Sequence, residues 1–231
     1  MESKHPQTND PDVKSLDESQ TEIGMGGYLE EYKDEKIYKK RMQQRKEIQQ
    51  KRIDIRNKEK GLIIVFTGNG KGKTTCALGL ALRTLGHGHK VAIIQFIKGG
   101  WTPGEANAFK VFGDDLKWHS YGEGFTWETQ NRHRDKEIVM KSWEKSLFYL
   151  QNKAYKLVIL DEINIAIKLG YISIEEVVKG IKNRPFLTHV VLTGRSASDI
   201  IIESADLVTE MKLLHHPFKE QGIKAQEGIE Y

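Results

Sequence analysis

From residue 62 onward, short apolar runs alternate with longer mixed segments. This alternation is typical of βαβ units that stack into a parallel sheet covered on both faces. Apolar runs predict strands at Leu62–Thr67, Val91–Phe96, Leu116–Ser120, Lys156–Leu160, His189–Thr193 and Leu207–Met211. The intervening segments predict helices at Lys73–Leu85, Thr129–Lys153, Ser173–Lys182 and Ser196–Ser204, the last with Ser196 and Asp199 at capping-box spacing.

The first 60 residues follow a pattern set by charge. Residues 1–35 hold ten acidic residues against three lysines, a net charge of −7, which predicts a disordered acidic tail. Residues 36–60 hold eleven basic residues against three acidic ones, a net charge of +8, and favour helix up to Gly61. This basic N-terminal helix either lies across an anionic partner or is a solvated charged helix. Residues 61–231 form the predicted α/β domain.

The composition argues against several classes of protein, among them membrane-spanning and disulfide-bonded proteins. The longest apolar run, Leu62–Phe66, is far shorter than the ~20 residues of a membrane-spanning helix, and the N-terminus has no secretory signal pattern. The single cysteine, Cys76, excludes an internal disulfide and a dithiol redox centre. The eight histidines show no metal-ligand spacing. We expect a cytoplasmic protein without a membrane partner.

A glycine-rich segment joins the first predicted strand to the first helix. Its candidate nucleotide-binding residues are Gly68, Asn69, Gly70, Lys71, Gly72, Lys73, Thr74 and Thr75. Glycines let backbone N–H groups approach phosphate oxygens, and the helix N-terminus favours anions. The segment therefore predicts a phosphate loop, although Thr67 stands where the pattern GxxxxGK[ST] has its first glycine. A glycine-rich turn without a ligand is the alternative.

Two acidic residues, Asp161 and Glu162, follow a predicted strand at the sheet edge where ligands bind in such folds. With the Thr74 hydroxyl they form a candidate site for Mg²⁺ or Mn²⁺. Glu162 has a second possible role as a general base for water. Loop and acids together predict a P-loop NTPase-like (RecA-like) α/β fold. Its sheet is mainly parallel and six-stranded, with helices on both faces and the basic helix in front.

A second glycine-rich segment, GEGFTWETQ over residues 122–130, carries two aromatic residues. In an extended chain, Phe125 and Trp127 point to the same side and form an apolar wall beside the phosphate loop. The alternative is that both rings simply cover the end of the sheet.

Several segments, in this order and spacing, resemble the ATP:corrinoid adenosyltransferase family in its P-loop class. They are GLIIVFTGNGKGKTT, VAIIQFIKG, GFTWETQNR, VILDEI, NRP, VLTGR, SADLVTEM and KAQEGIEY. The resemblance extends over about residues 36–231. It implies that a cobalt(I) corrinoid attacks the 5′ carbon of ATP, so that a carbon–cobalt bond forms and triphosphate leaves, in adenosylcobalamin biosynthesis or salvage. It also implies that ATP binds the loop in the reverse of its usual orientation.

The resemblance assigns roles to the candidate residues. Residues 68–74 hold the triphosphate, with Lys73 as a catalytic cation and with Thr74, Glu162 and Asp161 around magnesium. Arg83 and Arg195 are implied phosphate or ribose contacts, with a surface arginine as the alternative for Arg195. Phe125 and Trp127 are implied to close the lower face of the corrinoid, which eases reduction of cobalt(II) because axial ligation and solvent access set the potential of a metal.

The resemblance also implies partners. A flavoprotein-type reductase supplies electrons, and the basic helix crosses to a second subunit of a homodimer, where Lys40, Arg41 and Arg45 face the nucleotide or the corrinoid. Two alternatives stay open from the residues alone. One is a P-loop ATPase whose basic arm binds nucleic acid, although no RNA-binding aromatic motif supports a nucleic-acid partner. The other is a corrinoid-binding module that uses ATP only as a ligand.

Overall fold

The computed structural model describes residues 35–97, 103–121 and 131–230, and the chain divides into two units between Lys58 and Glu59. The first unit contains helix α1, Glu35–Asp54, which has no buried residue. Side-chain pairs one turn apart support it, such as Lys39 with Glu35 at 2.6 Å and Gln43 with Glu47 at 2.8 Å. The helix ends at Asp54, before the predicted end at residue 60.

The second unit is built on a six-stranded sheet, and every neighbouring pair of its strands is parallel. The strands are β1 (Ile63–Thr67), β2 (Lys90–Gln95), β3 (Leu116–Ser120), β4 (Tyr155–Asp161), β5 (His189–Thr193) and β6 (Leu207–Glu210). Their order across the sheet is β3-β2-β4-β5-β1-β6. The predicted parallel six-stranded α/β fold is therefore confirmed.

Helices connect the strands. They are α2 (Lys73–Gly86), α3 (Gly104–Ala108), α4 (Arg132–Leu150), α5 (Ile163–Lys168), α6 (Ile174–Lys182), α7 (Asp199–Glu203) and α8 (Pro217–Gln221), with a 3₁₀ helix over Phe109–Asp115. In the part of the chain that the structure describes, no helix is long and apolar enough to cross a membrane.

Buried side chains form one hydrophobic cluster on each face of the sheet. Residues of β4 alternate between them, since Val158 and Leu160 pack with α4 to α7 while Leu157 and Ile159 pack with α2 and the 3₁₀ helix. Trp143 of α4 is 1% exposed and lies over Gly180 of α6, where a Cβ atom would come within 2.5 Å of the indole ring. Because both faces of the four inner strands are covered, β1, β2, β4 and β5 each contain a continuous apolar run, whereas the edge strands β3 and β6 are more polar and more exposed.

The predicted capping box at Ser196 and Asp199 is wrong. Ser196 has a left-handed backbone (φ 57°), and its hydroxyl accepts a hydrogen bond from Lys168 at 3.1 Å. Helix α7 is capped two residues later by Ser198, whose hydroxyl accepts from the backbone N–H of Ile201 at 3.4 Å. Because Gly194 and Ser196 have positive φ values, they do not continue into a helix, and α7 starts later than the serine spacing indicates.

Candidate active site

The candidate site lies at the carboxyl edge of the sheet, where the segment between β1 and α2 makes close backbone contacts. Gly68 and Gly72 have left-handed backbones, with φ values of 94° and 99°. A Cβ atom on Gly68 would lie 2.4 Å from the carbonyl oxygen of Met211, and one on Gly70 would lie 2.8 Å from that of Lys212. The N–H of Gly70 also donates to the Met211 carbonyl at 2.7 Å. The chain after β6 thus requires glycine at positions 68 and 70.

The first turn of α2 presents a cation and a hydroxyl to this edge. Lys73 is 7% exposed, and its ammonium group donates to the carbonyl of Gly70 at 2.5 Å, across the loop. The Thr74 hydroxyl donates to Oδ1 of Asp161 at 2.9 Å. The loop, the start of α2 and the end of β4 are therefore joined by side chains of the two predicted motifs.

Asp161 is the centre of a buried hydrogen-bond network. Its side chain is 1% exposed. Besides the Thr74 hydroxyl, Oδ1 accepts from the hydroxyl of Thr193 at 2.6 Å, and Oδ2 accepts from the side-chain amide of Gln95 at 2.9 Å. Gln95, Asp161 and Thr193 are the last residues of three neighbouring strands. These three hydrogen bonds hold the buried carboxyl group in one orientation.

Glu162 differs from Asp161 in backbone and burial. Its backbone is left-handed, with φ 63° and ψ 20°, and its side chain is only partly buried. The N–H of Glu162 donates to the Thr193 hydroxyl at 2.9 Å. Gly194, at φ 127°, lies so close that a Cβ atom there would be 3.2 Å from Oε2 of Glu162. Thr193 and Gly194 therefore fix a conformation that a non-glycine residue rarely adopts.

A cavity of about 690 Å³ lies beside the loop and carries several cations. Its lining residues are Asn69, Arg195, Glu210, Met211, Lys212, Leu213, Leu214, His216 and Lys219. At the loop, Lys71 forms an ion pair with Glu230. Partial burial and the positive charge of Arg195 lower the pKa of Lys71 below its ordinary value. The loop therefore joins a basic cavity suited to an anionic ligand.

Comparison with known proteins places this arrangement in a family. Residues 59–231 match the family ATP:corrinoid adenosyltransferase BtuR/CobO/CobP. The chain belongs to this family. The resemblance inferred from the sequence segments is thereby confirmed, and the protein is an ATP-using transferase that acts on corrinoids.

Individual relatives agree with the family match. A corrinoid adenosyltransferase of Sinorhizobium sp is 46% identical over 212 residues, which cover 91% of this chain and 99% of the relative. One of Pseudomonas aeruginosa is 45% identical, covering 84% of this chain and 95% of the relative. The corrinoid adenosyltransferase CobA of Salmonella typhimurium is 42% identical, covering 83% and 98%. Neither the alternative of a P-loop ATPase nor that of a corrinoid-binding module gains support from these matches.

The structure of this corrinoid adenosyltransferase brings together most of the predicted nucleotide-binding residues. Residues 68–75, Asp161 and Glu162 meet at one edge of the sheet, and Arg195 lines the cavity beside Asn69. Arg83 lies apart from them. It is exposed in the last turn of α2, ten residues beyond Lys73 and thus about 15 Å along the helix axis. Phe125 and Trp127 lie outside the described residues.

Three residues of the network around Asp161 were not among the site residues predicted from the sequence. Gln95 and Thr193 bond directly to Asp161, and the indole N–H of Trp118 donates to Oε1 of Gln95 at 3.1 Å. A signal for two of them exists in the sequence. Gln95 and Thr193 are polar residues at or next to the carboxyl end of a largely apolar predicted strand, the position from which ligand-binding groups project in parallel sheets.

Proposed function

We propose that this adenosyltransferase uses residues 68–74 to hold the triphosphate of ATP while a reduced corrinoid attacks C5′. Cobalt(I) supplies the electron pair of the new cobalt–carbon bond. The C5′–O5′ bond breaks, and its electron pair leaves with the triphosphate. The observation that carries the proposal is the junction of the loop with Asp161 through Thr74, within a chain that belongs to this family.

The leaving group sets the task of the loop. Negative charge develops on the oxygen that departs from C5′, and fixed hydrogen-bond donors and cations stabilise such charge more than mobile water does. Lys73 would stabilise this charge together with the backbone N–H groups of the loop other than that of Gly70, which donates to the Met211 carbonyl. Lys71 and Arg195 add positive charge beside the loop and contact the outer part of the triphosphate.

A divalent cation fits the residues present. Thr74, Asp161 and Glu162 offer hard oxygen donors, and Mg²⁺ is held by few protein oxygens together with phosphate and water. Thr74 and Glu162 would bind Mg²⁺ or Mn²⁺ directly, while Asp161, whose oxygens already accept three hydrogen bonds, holds Thr74 in place. The bound ion would neutralise part of the triphosphate charge.

The corrinoid side of the proposal rests on the sequence. Phe125 and Trp127 would close the lower face of the corrinoid and exclude axial ligands, so that cobalt(II) is reduced more easily. A separate flavoprotein-type reductase would supply the electron, because the single cysteine cannot form a dithiol. Helix α1, without a buried residue, would lie with Lys40, Arg41 and Arg45 against a second subunit in a cytoplasmic homodimer.

The direct test is anaerobic. Purified protein, MgATP and chemically reduced cob(I)alamin are mixed, the cobalt(I) absorbance is followed, and triphosphate is assayed. Loss of the cobalt(I) band with one triphosphate per light-sensitive product supports the proposal. Cleavage of ATP to ADP, or ATP binding without turnover, contradicts it.

The Phe125→Ala variant tests the corrinoid role separately. With chemically reduced cobalt(I) it should keep the wild-type rate, because the substrate is already reduced. With cobalt(II) and a reductase it should lose activity. Wild-type rates in both assays would remove Phe125 from the proposed site.

A further inference from the structure

A chain of hydrogen bonds connects the edge strand β3 with the phosphate loop. The indole N–H of Trp118 donates to Oε1 of Gln95, and the Gln95 amide donates to Oδ2 of Asp161. Oδ1 of Asp161 then accepts from the Thr74 hydroxyl. The distances are 3.1, 2.9 and 2.9 Å, and Gln95 and Asp161 are each 1% exposed.

The direction of this chain is fixed by its outermost member. An indole N–H can only donate, so the oxygen of the Gln95 amide must face Trp118 and its NH₂ group must face Asp161. Trp118 is itself held against the ring of Phe109, with ring centroids 6.0 Å apart. A glutamine on a buried strand end is therefore kept from turning over, and it always offers a donor to the carboxylate.

The orientation of the Asp161 side chain determines whether the Thr74 hydroxyl acts as a hydrogen-bond donor or as an acceptor. Gln95 occupies Oδ2, which leaves Oδ1 for the hydroxyls of Thr74 and Thr193. A threonine hydroxyl has one hydrogen to donate, and Thr74 uses it in the hydrogen bond to Asp161. Toward any further partner its oxygen can act only as an electron-pair donor, which is the property that a magnesium ligand needs.

We propose that Gln95, oriented by Trp118, is a positioning residue that fixes the Asp161 carboxylate and thereby presents the Thr74 oxygen to the metal–triphosphate complex. This inference rests on the proposed function and adds a residue to its machinery. The simpler role for the same hydrogen bonds is to join β3, β2 and β4, in which case they affect stability alone.

The test separates positioning from stability by measuring metal-dependent nucleotide binding without turnover. Gln95→Met keeps the length of the side chain and removes both hydrogen bonds. Thr188→Val is the matched control, since Thr188 is 3% exposed and donates to the Tyr155 carbonyl at the opposite edge of the sheet. ATP binding is followed by calorimetry over a range of Mg²⁺ concentrations and again in EDTA.

We expect Gln95→Met to raise the Mg²⁺ concentration for half-maximal ATP binding by about 10- to 100-fold, the usual effect of removing a partner of a metal-ligand group. ATP binding in EDTA should stay within about twofold of wild type, as should every binding value of Thr188→Val. An unchanged Mg²⁺ requirement in folded Gln95→Met overturns the proposal.

A spectroscopic readout checks the chain itself. In protein labelled with ¹⁵N-tryptophan, the indole signal absent from Trp118→Phe belongs to Trp118. It should shift when MgATP binds to wild type, and it should not shift in Gln95→Met. If Gln95→Met does not fold, Trp118→Phe replaces it in the Mg²⁺ titration, where an unchanged requirement again overturns the proposal. Wild-type turnover of cob(I)alamin with unchanged Mg²⁺ dependence in the variants refutes this inference and leaves the proposed function standing.

Discussion

The two edges of the same sheet use polar groups in different ways. At the carboxyl edge, side chains bond to other side chains around one buried carboxylate, Asp161. Left-handed backbone occurs there at Gly68, Gly72, Glu162, Gly194 and Ser196. Such conformations cost energy for non-glycine residues and are concentrated at functional sites. The carboxyl edge is thus organised to hold groups in place for a ligand.

At the amino edge, charged side chains bond mainly to nearby backbone groups. The Arg184 guanidinium donates to the carbonyls of Gly61, Ile181 and Thr188 at 2.5, 2.6 and 2.7 Å. Asp206 accepts from the N–H of Ile63 at 2.9 Å and pairs with Lys60. These groups satisfy the ends of strands and of a helix, so they contribute to stability. The bonding partners of a charged residue at a sheet edge therefore indicate whether it serves ligand binding or stability.

The largest expected effect is at the carboxyl edge. Lys73→Ala should reduce turnover of ATP with cob(I)alamin by about 10²- to 10³-fold, because it removes a fixed cation beside the leaving group. The melting temperature should change little. Anaerobic kinetics and thermal denaturation measure the two quantities, and activity within threefold of wild type would exclude Lys73 from catalysis.

The amino edge should give the opposite result. Arg184→Met leaves three backbone carbonyls without their partner, and we expect it to lower the free energy of unfolding by about 2–4 kcal/mol. The KM for ATP should stay within about twofold of wild type, since distant sites act independently. Urea denaturation and steady-state kinetics check this. A raised KM with normal stability would reverse the assignment of the two edges.

The two ends of strand β5 offer a matched pair of buried threonines, since Thr193 is its last residue and Thr188 directly precedes its first. Thr193→Val removes a donor to Asp161 and the acceptor for the Glu162 N–H, so we expect about a tenfold loss of activity. Thr188→Val removes one bond to a carbonyl and should lower the free energy of unfolding by about 1 kcal/mol, with activity within twofold. Equal activities for the two variants would contradict the comparison.

The smallest expected effect is on the pH dependence of the free energy of unfolding, and it arises from His189 at the amino edge. The backbone N–H of Leu62 donates to Nδ1 of His189 at 3.0 Å, and burial, with Lys156 and Arg184 nearby, holds the pKa of His189 below its ordinary value. The folded protein therefore binds fewer protons than the unfolded chain as pH falls through about 6.5, and the free energy of unfolding decreases. The slope from this group cannot exceed about 1.4 kcal/mol per pH unit.

The His189→Asn variant isolates this contribution, because an asparagine side chain can accept the same hydrogen bond but does not titrate. Urea denaturation at pH 5 to 8 should show a shallower loss of stability in the variant. Parallel curves for variant and wild type would show that His189 does not titrate on unfolding.

Much of the fold could be predicted because both faces of the sheet are covered. Each of the four inner strands then contains a continuous apolar run. Two strands, Leu116–Ser120 and His189–Thr193, have the predicted bounds. Helix α5 is not predicted because its six residues, INIAIK, are too few to show a helical period. Ser198 was missed as the cap because the left-handed residue Ser196 delays the helix.

The candidate site, like the fold, could be predicted from the sequence only in part. The loop and the Asp161–Glu162 pair are local patterns, so their residue types and order predict them. The roles of Gln95 and Thr193 depend on strand order, which places Asp161 between partners 66 residues before it and 32 residues after it in the chain. The separation of Arg83 from the loop follows from the length of α2, since a helix carries its last turn away from the phosphate edge.

The contact between the phosphate loop and the chain after β6 has a consequence for engineering. Because Met211 and Lys212 supply the backbone against which Gly68 and Gly70 lie, a truncation before Met211 would remove a wall of the loop. Libraries that vary the loop alone would find positions 68 and 70 intolerant even where no ligand is selected for. A redesign for another nucleotide would have to change residues 210–212 and the loop together.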